Sequence, residues 1–315
     1  MLCLQPMVML SHCLVMTPYL FSRPYQLLWI PNRHGDWLRC LVFHPPPQAK
    51  QQHGSEQVLN PLHVSFHGGG FLGGLAEYNA PFCAQLAQAT GAVVVSATYR
   101  AAPRYPYPAA HEDTEDVLEW LWENAAEKLG ADRNILTTSG LSAGANLALG
   151  VPAQWARRKG AKIWASVTAY SPVDLRIPPR QKPKPDSFPK VDPLGWCTDL
   201  FDAYVASTRP ASVTDARLNP ILAQLDDLPH DMLFIIPTLD ILVEEQLSFV
   251  DRLRKDMDAR KDGDRKVEAR LFDKCLHGWL ELPSFAIEEK TRTDAFNAMI
   301  KFIKEAHEKY KKYGT

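Results

Sequence analysis

Residues 136–149 read "LTTSGLSAGANLAL", and the fold turns on them. A short β-favouring run leads into Gly140-Leu141-Ser142-Ala143-Gly144, and small and apolar residues at helical spacing follow at once. Strand, sharp turn and helix together make a βα unit with a serine at the turn. Glycines let the backbone reverse in little space, so the serine hydroxyl stands free at the carboxyl edge of the sheet. The open amides of the helix start then lie near any negative charge that develops there. Small residues also fill ordinary turns, so the pentapeptide alone leaves Ser142 as either a nucleophile or a structural serine, and its surroundings must decide.

Working outward, apolar runs at 62–66, 93–98, 135–138, 166–170, 232–237 and 267–272 alternate with helical patterns at 80–90, 109–129, 143–158, 241–257 and 288–311. That alternation predicts an α/β fold, a mostly parallel sheet with helices on both faces. Residues 27–43, "LLWIPNRHGDWLRCLVF", read as two antiparallel strands joined by a turn at 33–36, and 44–57 as an exposed loop. Pro152, close behind Gly150, should kink or shorten the helix after Ser142. The proline-rich stretch 176–193 cannot be a regular element, and 194–205, "LGWCTDLFDAYV", patterns as a short amphipathic helix. The chain is therefore expected to hold one domain over 28–315 with a small cap inserted at about 176–215. Residues 1–27 form an N-terminal segment that is a candidate part of the cap. No internal repeat is visible.

At 315 residues the chain is long enough for a sizeable core. A net charge of -1 and a pI near 6.8 supply no field to hold nucleic acid or an anionic membrane, so neither is expected as a partner. Six scattered cysteines, Cys3, Cys13, Cys40, Cys83, Cys197 and Cys275, show no metal-binding spacing and read as reduced thiols. The apolar opening is interrupted by Pro6, His12, Pro18, Arg23 and Pro24, and lacks a basic start and a small-residue cleavage site. A cytoplasmic location is expected, with an N-terminal amphipathic membrane contact as the alternative.

A second glycine motif, "HVSFHGGGFLGG", puts His67-Gly68-Gly69-Gly70 behind another strand, where bare amides can bind an oxyanion. The amides of Gly69 and Gly70, with that of Ala143, are assigned to an oxyanion hole, and His67 to holding the loop. A nucleophilic serine needs a base, and the base an orienting acid, in the chain order Ser, Asp or Glu, His. His277 in "KCLHGWL" follows the last strand, whereas His230 precedes a strand and falls at the opposite edge. Asp240 in "FIIPTLDILVEE" follows a strand and is the preferred acid; Asp273 competes but more naturally ends its own strand. Glu244 and Glu245 read as helix-start stabilisers. Phe71, Trp196, Phe201, Tyr204 and Trp279 are candidates either for a pocket wall or for core packing.

These residues resemble the hormone-sensitive-lipase-like, or type 3, α/β-hydrolases, a family of esterases and arylacetamide deacetylases. The resemblance runs from about Leu28 to the C-terminus. It rests on "HGGGF" at 67–71, "YRAAPRYPYPAAHED" at 99–113, "GLSAGANLA" at 140–148, "NPIL" at 219–222, "LDILVEE" at 239–245 and "HGW" at 277–279. It implies an α/β-hydrolase fold, the triad Ser142, Asp240 and His277, the oxyanion amides, and hydrolysis of small-molecule, short-acyl esters without metal or cofactor. In that comparison His67, Gly68, Gly140 and Gly144 are motif scaffold, and Tyr99, Arg100, Pro103, Pro106, Pro108 and Asp113 are scaffold beside the site. A homodimer is compatible with it. Fungal biosynthetic esterases look similar in size and motif style. The chain departs from the family in having Leu141 where an acidic residue is usual, Ala145 where a glycine is, and Ile241 where a proline is. Leu141 is expected to alter the pocket. Two rivals stay open: a small-molecule receptor on the same fold, which would lack the catalytic histidine, and an amide or lactone hydrolase.

Overall fold

Val93 and Val95 pack into one apolar layer while Val94 packs into the opposite one, which is why this strand reads as an unbroken apolar run. The computed structural model describes residues 13, 16–19, 23–47, 58–186, 188–191, 195, 202–282 and 287–314. Its strands are β1 (Gln26–Pro31), β2 (Trp37–Phe43), β3 (Asn60–Phe66), β4 (Val93–Ala97), β5 (Ala131–Leu141), β6 (Ile163–Ala169), β7 (Asp231–Leu239) and β8 (Val267–Leu276). They form one sheet in the order β1-β2-β4-β3-β5-β6-β7-β8. The β1–β2 and β2–β4 pairs are antiparallel, and every other pair is parallel.

Six helices of eight residues or more cover the described sheet. They are α1 (Ala80–Thr90), α2 (Ala109–Leu129), α3 (Ala143–Gly150), α4 (Pro152–Lys159), α5 (Val243–Arg260) and α6 (Glu289–Tyr310). Phe82 and Leu86 of α1 join Phe302 and Ile303 of α6 against Leu41, Phe43 and Val94 on one face. Val117, Leu118 and Leu121 of α2 and Leu147 of α3 meet Val42, Val64 and Leu136 on the other. Phe249, Val250 and Leu253 of α5 close the far end over Met232, Phe234 and Ile236. Pro152 splits the helix behind Ser142 into α3 and α4, as its missing amide requires.

The topology itself positions a site. From β3 the chain goes to β4 on one flank, then returns to lay β5 on the other flank of β3. In open α/β sheets a crevice forms beyond the carboxyl ends of strands at such a reversal. Both glycine motifs lie there, one behind β3 and one behind β5.

The stretch patterned as a helix at 194–205 is a correction. Residues 192–194 and 196–201 lie outside the described residues. At 202–206 the chain makes a tight turn, with the Val205 and Ala206 amides donating to the Asp202 carbonyl at 3.0 and 2.8 Å. The turn delivers Tyr204 into the core, stacked 4.2 Å from the Phe71 ring. Among its described residues the proline-rich stretch carries a single turn of 3-10 helix, at Pro179–Gln181. Of the N-terminal segment, residues 1–12, 14, 15 and 20–22 lie outside the described residues, as do 48–57 of the loop before β3. Cys13, Cys40, Cys83 and Cys275 are free thiols, and Cys3 and Cys197 lie outside the described residues. Among the described residues no helix is long and apolar enough to cross a membrane.

Three buried histidines sit in polar niches of the core. His63 bonds Thr137 Oγ1 at 2.9 Å and Ser139 Oγ at 2.8 Å, and His307 Nε2 meets the same Thr137 hydroxyl at 2.9 Å. His111 bonds the Tyr204 hydroxyl at 2.9 Å and Asn146 Oδ1 at 3.1 Å. Burial pushes His63 well below its ordinary value and lowers His111 and His307 to about 3. Above pH 6.5 these rings are neutral whether the chain is folded or unfolded. Below it the unfolded chain takes protons that the folded one refuses, so stability falls as pH drops from 6.5 toward 4. The loss is up to about 1.4 kcal/mol per pH unit for each histidine. Thermal melts across that range should show the slope, and His307→Gln should reduce it by about a third.

Candidate active site

Ser142 has φ +51° and ψ −119°, a region that side-chain-bearing residues seldom occupy. The surroundings force it. The Ser142 amide donates to the Ala169 carbonyl of β6 at 3.0 Å, and its carbonyl accepts from the Ala145 amide at 2.9 Å. A Cβ at Gly144 would lie 2.1 Å from the Phe66 carbonyl oxygen, and one at Gly140 2.1 Å from that of Gly144. Only glycine lets β3, β5 and α3 approach so closely.

Strand register brings the remaining groups together. Leu239 of β7 pairs with Leu276 of β8, so Asp240 and His277 are the next residue beyond each strand. His277 Nδ1 lies 2.8 Å from Asp240 Oδ2, and His277 Nε2 lies 2.8 Å from Ser142 Oγ. Asp240 is almost fully buried and its other oxygen, Oδ1, accepts the Leu242 amide at 3.1 Å. Burial works against protonating His277, but the Asp240 charge and hydrogen bond and the Glu281 and Glu245 charges outweigh it and raise its pKa. A raised pKa suits a group that must accept a proton from a hydroxyl and hold it.

The other glycine motif arrives by register as well, since Phe66 of β3 pairs with Gly140 of β5. Gly69 and Gly70 take φ +115° and +61°, leaving a bare loop whose amides belong to no helix or strand. His67 donates from Nδ1 to the Gly68 carbonyl at 2.7 Å, its ring stacks 4.4 Å from Tyr99, and the Tyr99 hydroxyl donates to the His67 carbonyl at 2.8 Å. The adjoining "YRAAPRYPYPAAHED" segment is pinned by buried Asp113, which accepts the Arg100 amide at 2.7 Å and Asn32 Nδ2 at 3.1 Å.

Gly70, Ala143, Ser142 and His277 open into a cavity of about 310 Å³. Its walls are largely apolar, with Phe71, Leu175, Phe188, Leu239, Ile241 and Leu276 among them, and Pro179 and Lys182 of the proline-rich stretch also border it. Among the described residues no group of three or more His, Cys, Asp or Glu side chains is arranged to hold a metal ion.

Several sequence expectations are revised. Leu141 does not line the cavity among its described residues; it is buried with Tyr170, Leu233 and Trp279 in the layer beneath, because adjacent strand residues point to opposite faces. Tyr204 and Trp279 are core residues, Phe71 reaches the cavity, and Trp196 and Phe201 lie outside the described residues. Glu245 does more than stabilise a helix start. Its carboxylate accepts the Val173 and Asp174 amides at 2.9 and 3.3 Å and is ion-paired with buried Lys182, which also donates to the Asp174 carbonyl at 2.7 Å. That cluster ties the proline-rich stretch to the domain. Asp273 accepts from the Thr238 hydroxyl instead of His277, and His230 bonds Asp231 at the start of β7, at the opposite edge. Glu281, absent from the sequence reading, sits behind the site against Gly68, Tyr170 and His277. The only hint of it in the sequence is one acidic residue inside the apolar run "WLELP" after His277.

A family model described as the α/β hydrolase fold matches residues 63–281, more than half of the chain. The chain is 26% identical over 231 residues to an ethyl acetate hydrolase of Pseudomonas putida, covering 72% of this chain and 69% of that protein. It is 46% identical over 183 residues to the carboxylesterase NlhH of Mycobacterium tuberculosis, covering 54% of this chain and 53% of that one, so it spans about half the length of that relative. A hyperthermophilic esterase from the archaeon Pyrobaculum calidifontis superposes with a TM-score of 0.69 at 27% identity, covering 90% of this chain and 83% of that one. With eight strands in this order and its motifs at the strand ends, the chain belongs to the α/β hydrolase fold family, in its hormone-sensitive-lipase-like branch.

Proposed function

We propose that this chain is a serine carboxylesterase that cleaves short-chain, acetyl-type esters of small neutral molecules through an acyl-enzyme. The observation that carries the reading is the hydrogen-bonded series Ser142, His277, Asp240 opening beside the Gly69–Gly70 loop into an apolar cavity. His277 Nε2 takes the Ser142 proton as Oγ attacks the ester carbonyl carbon. The amides of Gly69, Gly70 and Ala143 receive the oxyanion of the tetrahedral intermediate. His277 then returns its proton to the departing alcohol, and water, deprotonated by the same imidazole, releases the acid. The names of the Pseudomonas and mycobacterial relatives agree with ester hydrolysis.

The substrate class follows from the walls. Among the described residues the one cation bordering the cavity, Lys182, is engaged by Asp174 and Glu245, so an anionic substrate would shed its water without gaining a partner. Pro179, Lys182 and Phe188 border the cavity, which supports the stretch at about 176–215 as the cap. The receptor reading is disfavoured because His277 stands within hydrogen-bond reach of Ser142. p-Nitrophenyl esters of two to twelve carbons test the proposal. The expected kcat/KM peaks among the short acyl chains and falls at least about tenfold for dodecanoate or for a carboxylate-bearing ester. A maximum at the long chains, or faster turnover of the matching anilides, would overturn it.

A further inference from the structure

Glu281 belongs to the short 3-10 turn Trp279–Glu281 that follows His277. From there its carboxylate reaches two separate parts of the site. It accepts the Tyr170 hydroxyl at 3.2 Å. The backbone amide of Gly68, the residue before the two oxyanion glycines, favours its charged form. The carboxylate also fills the space where a side chain at position 68 would stand: a Cβ there would lie 2.7 Å from one carboxylate oxygen and 2.9 Å from the other. Tyr170 is the first residue beyond β6, held at φ +42° with its amide donating to the Ile235 carbonyl. Its ring lies edge-on to the His277 imidazole with centroids 5.0 Å apart. One carboxylate therefore touches the loop that receives the oxyanion and the ring that walls the base, and it is carried four residues along the same chain segment as the base itself.

Resting on the esterase reading above, we propose that Glu281 is a positioning residue: it locks the Gly68–Gly70 loop and the Tyr170 ring around His277 and adds a negative charge to that of Asp240 behind the imidazole. Gly69 and Gly70 lie outside regular structure, so nothing within a helix or strand fixes the direction of their amides. A carboxylate packed against the Gly68 backbone supplies that restraint. Preorganised donors are effective because they need not reorient as charge develops. The charge also matters to the base. Burial pushes the Glu281 carboxyl up to about 6, while His277, Tyr170 and the Gly68 amide pull it the other way. The groups facing this carboxylate are His277 and Tyr170, with Tyr99 also feeling its charge; His277 in turn faces Asp240, Glu245 and Glu281. Near neutral pH Glu281 is ionised and supports the imidazolium that forms as Ser142 attacks.

Four proteins separate the possibilities: the intact chain, Ser142→Ala, Glu281→Gln and Glu281→Ala, each assayed with p-nitrophenyl acetate from pH 5 to 9. Glu281→Ala removes the anchor and should lower kcat by about 10²-fold with KM changed by less than about threefold, the pattern of an interaction made in the transition state. Glu281→Gln keeps an acceptor for Tyr170 and Gly68 but loses the charge. It should recover kcat to within about fivefold of the intact chain at pH 8, while the acidic limb of kcat/KM moves down by about half a pH unit or more. A merely structural role would lower the melting temperature and leave that limb in place. Should Glu281→Ala not fold, Glu281→Gln and Tyr170→Phe carry the test through the limb and kcat. Unchanged kcat and an unmoved limb in the Glu281 variants overturn the inference alone, provided Ser142→Ala is inactive. If Ser142→Ala keeps its activity, the esterase reading falls first.

Discussion

Ser142→Ala is expected to abolish ester hydrolysis, with a fall in kcat of about 10⁴- to 10⁶-fold, since the members of such a triad act as a unit. What remains should be the small residual catalysis of an oxyanion hole that still polarises a bound carbonyl. The fold should survive. Ser142 is held at its unusual φ by the Ala169 and Ala145 backbone bonds, which alanine keeps, and its hydroxyl is bonded to His277. Equal melting temperatures for the two proteins would therefore separate lost chemistry from lost structure.

Asp240→Asn is expected to cost about 10⁴-fold in kcat, with little change in KM or stability. The reason lies in the second oxygen. Asp240 Oδ1 accepts the Leu242 amide while Oδ2 faces His277 Nδ1. In the asparagine variant the carbonyl oxygen must stay toward Leu242, so the amide NH₂ turns to His277. Two donors cannot face each other, and Nδ1 must give up its hydrogen and accept. The proton then sits on Nε2, the atom that has to receive the proton of Ser142. A glutamate at 240 would not repair this, being one methylene too long for a carboxylate packed against the start of α5. The measurement is kcat and KM with p-nitrophenyl acetate at pH 8, and a loss below about tenfold would show that Asp240 does not orient the base.

Much of this arrangement was legible in the chain. The central strands announce themselves because burial on both faces demands mostly apolar runs broken only by small hydroxyl residues, as at Val93–Ala97. Their ends were less visible. β5 begins at Ala131, four residues before its apolar run, because pairing of Asn60 and Pro61 with Ala131 and Asp132 is made by the backbone and leaves no side-chain pattern. β8 likewise runs on through 273–276 to meet Leu239. The site residues stood out by their order and by falling just after strands, which is where a parallel sheet presents side chains to its crevice. What the pattern could not supply was direction. Leu141 and Ser142 are neighbours, yet one enters the core and the other the cavity. Glu245 and Glu281 follow Asp240 and His277 by five and four residues, and only the turn geometry after each strand decides what their carboxylates touch. The short helix expected at 194–205 failed where described because Tyr204 is drawn against Phe71 and His111, a tertiary demand that local spacing does not record.

The most direct measurement is covalent labelling. A fluorophosphonate that mimics the tetrahedral intermediate should modify the intact chain once, and peptide mapping by mass spectrometry should place the adduct on Ser142. Ester hydrolysis should be lost in step with labelling, and Ser142→Ala should take up no label. An adduct on a different serine, or full esterase activity in a chain that takes no label, would contradict Ser142 as the nucleophile.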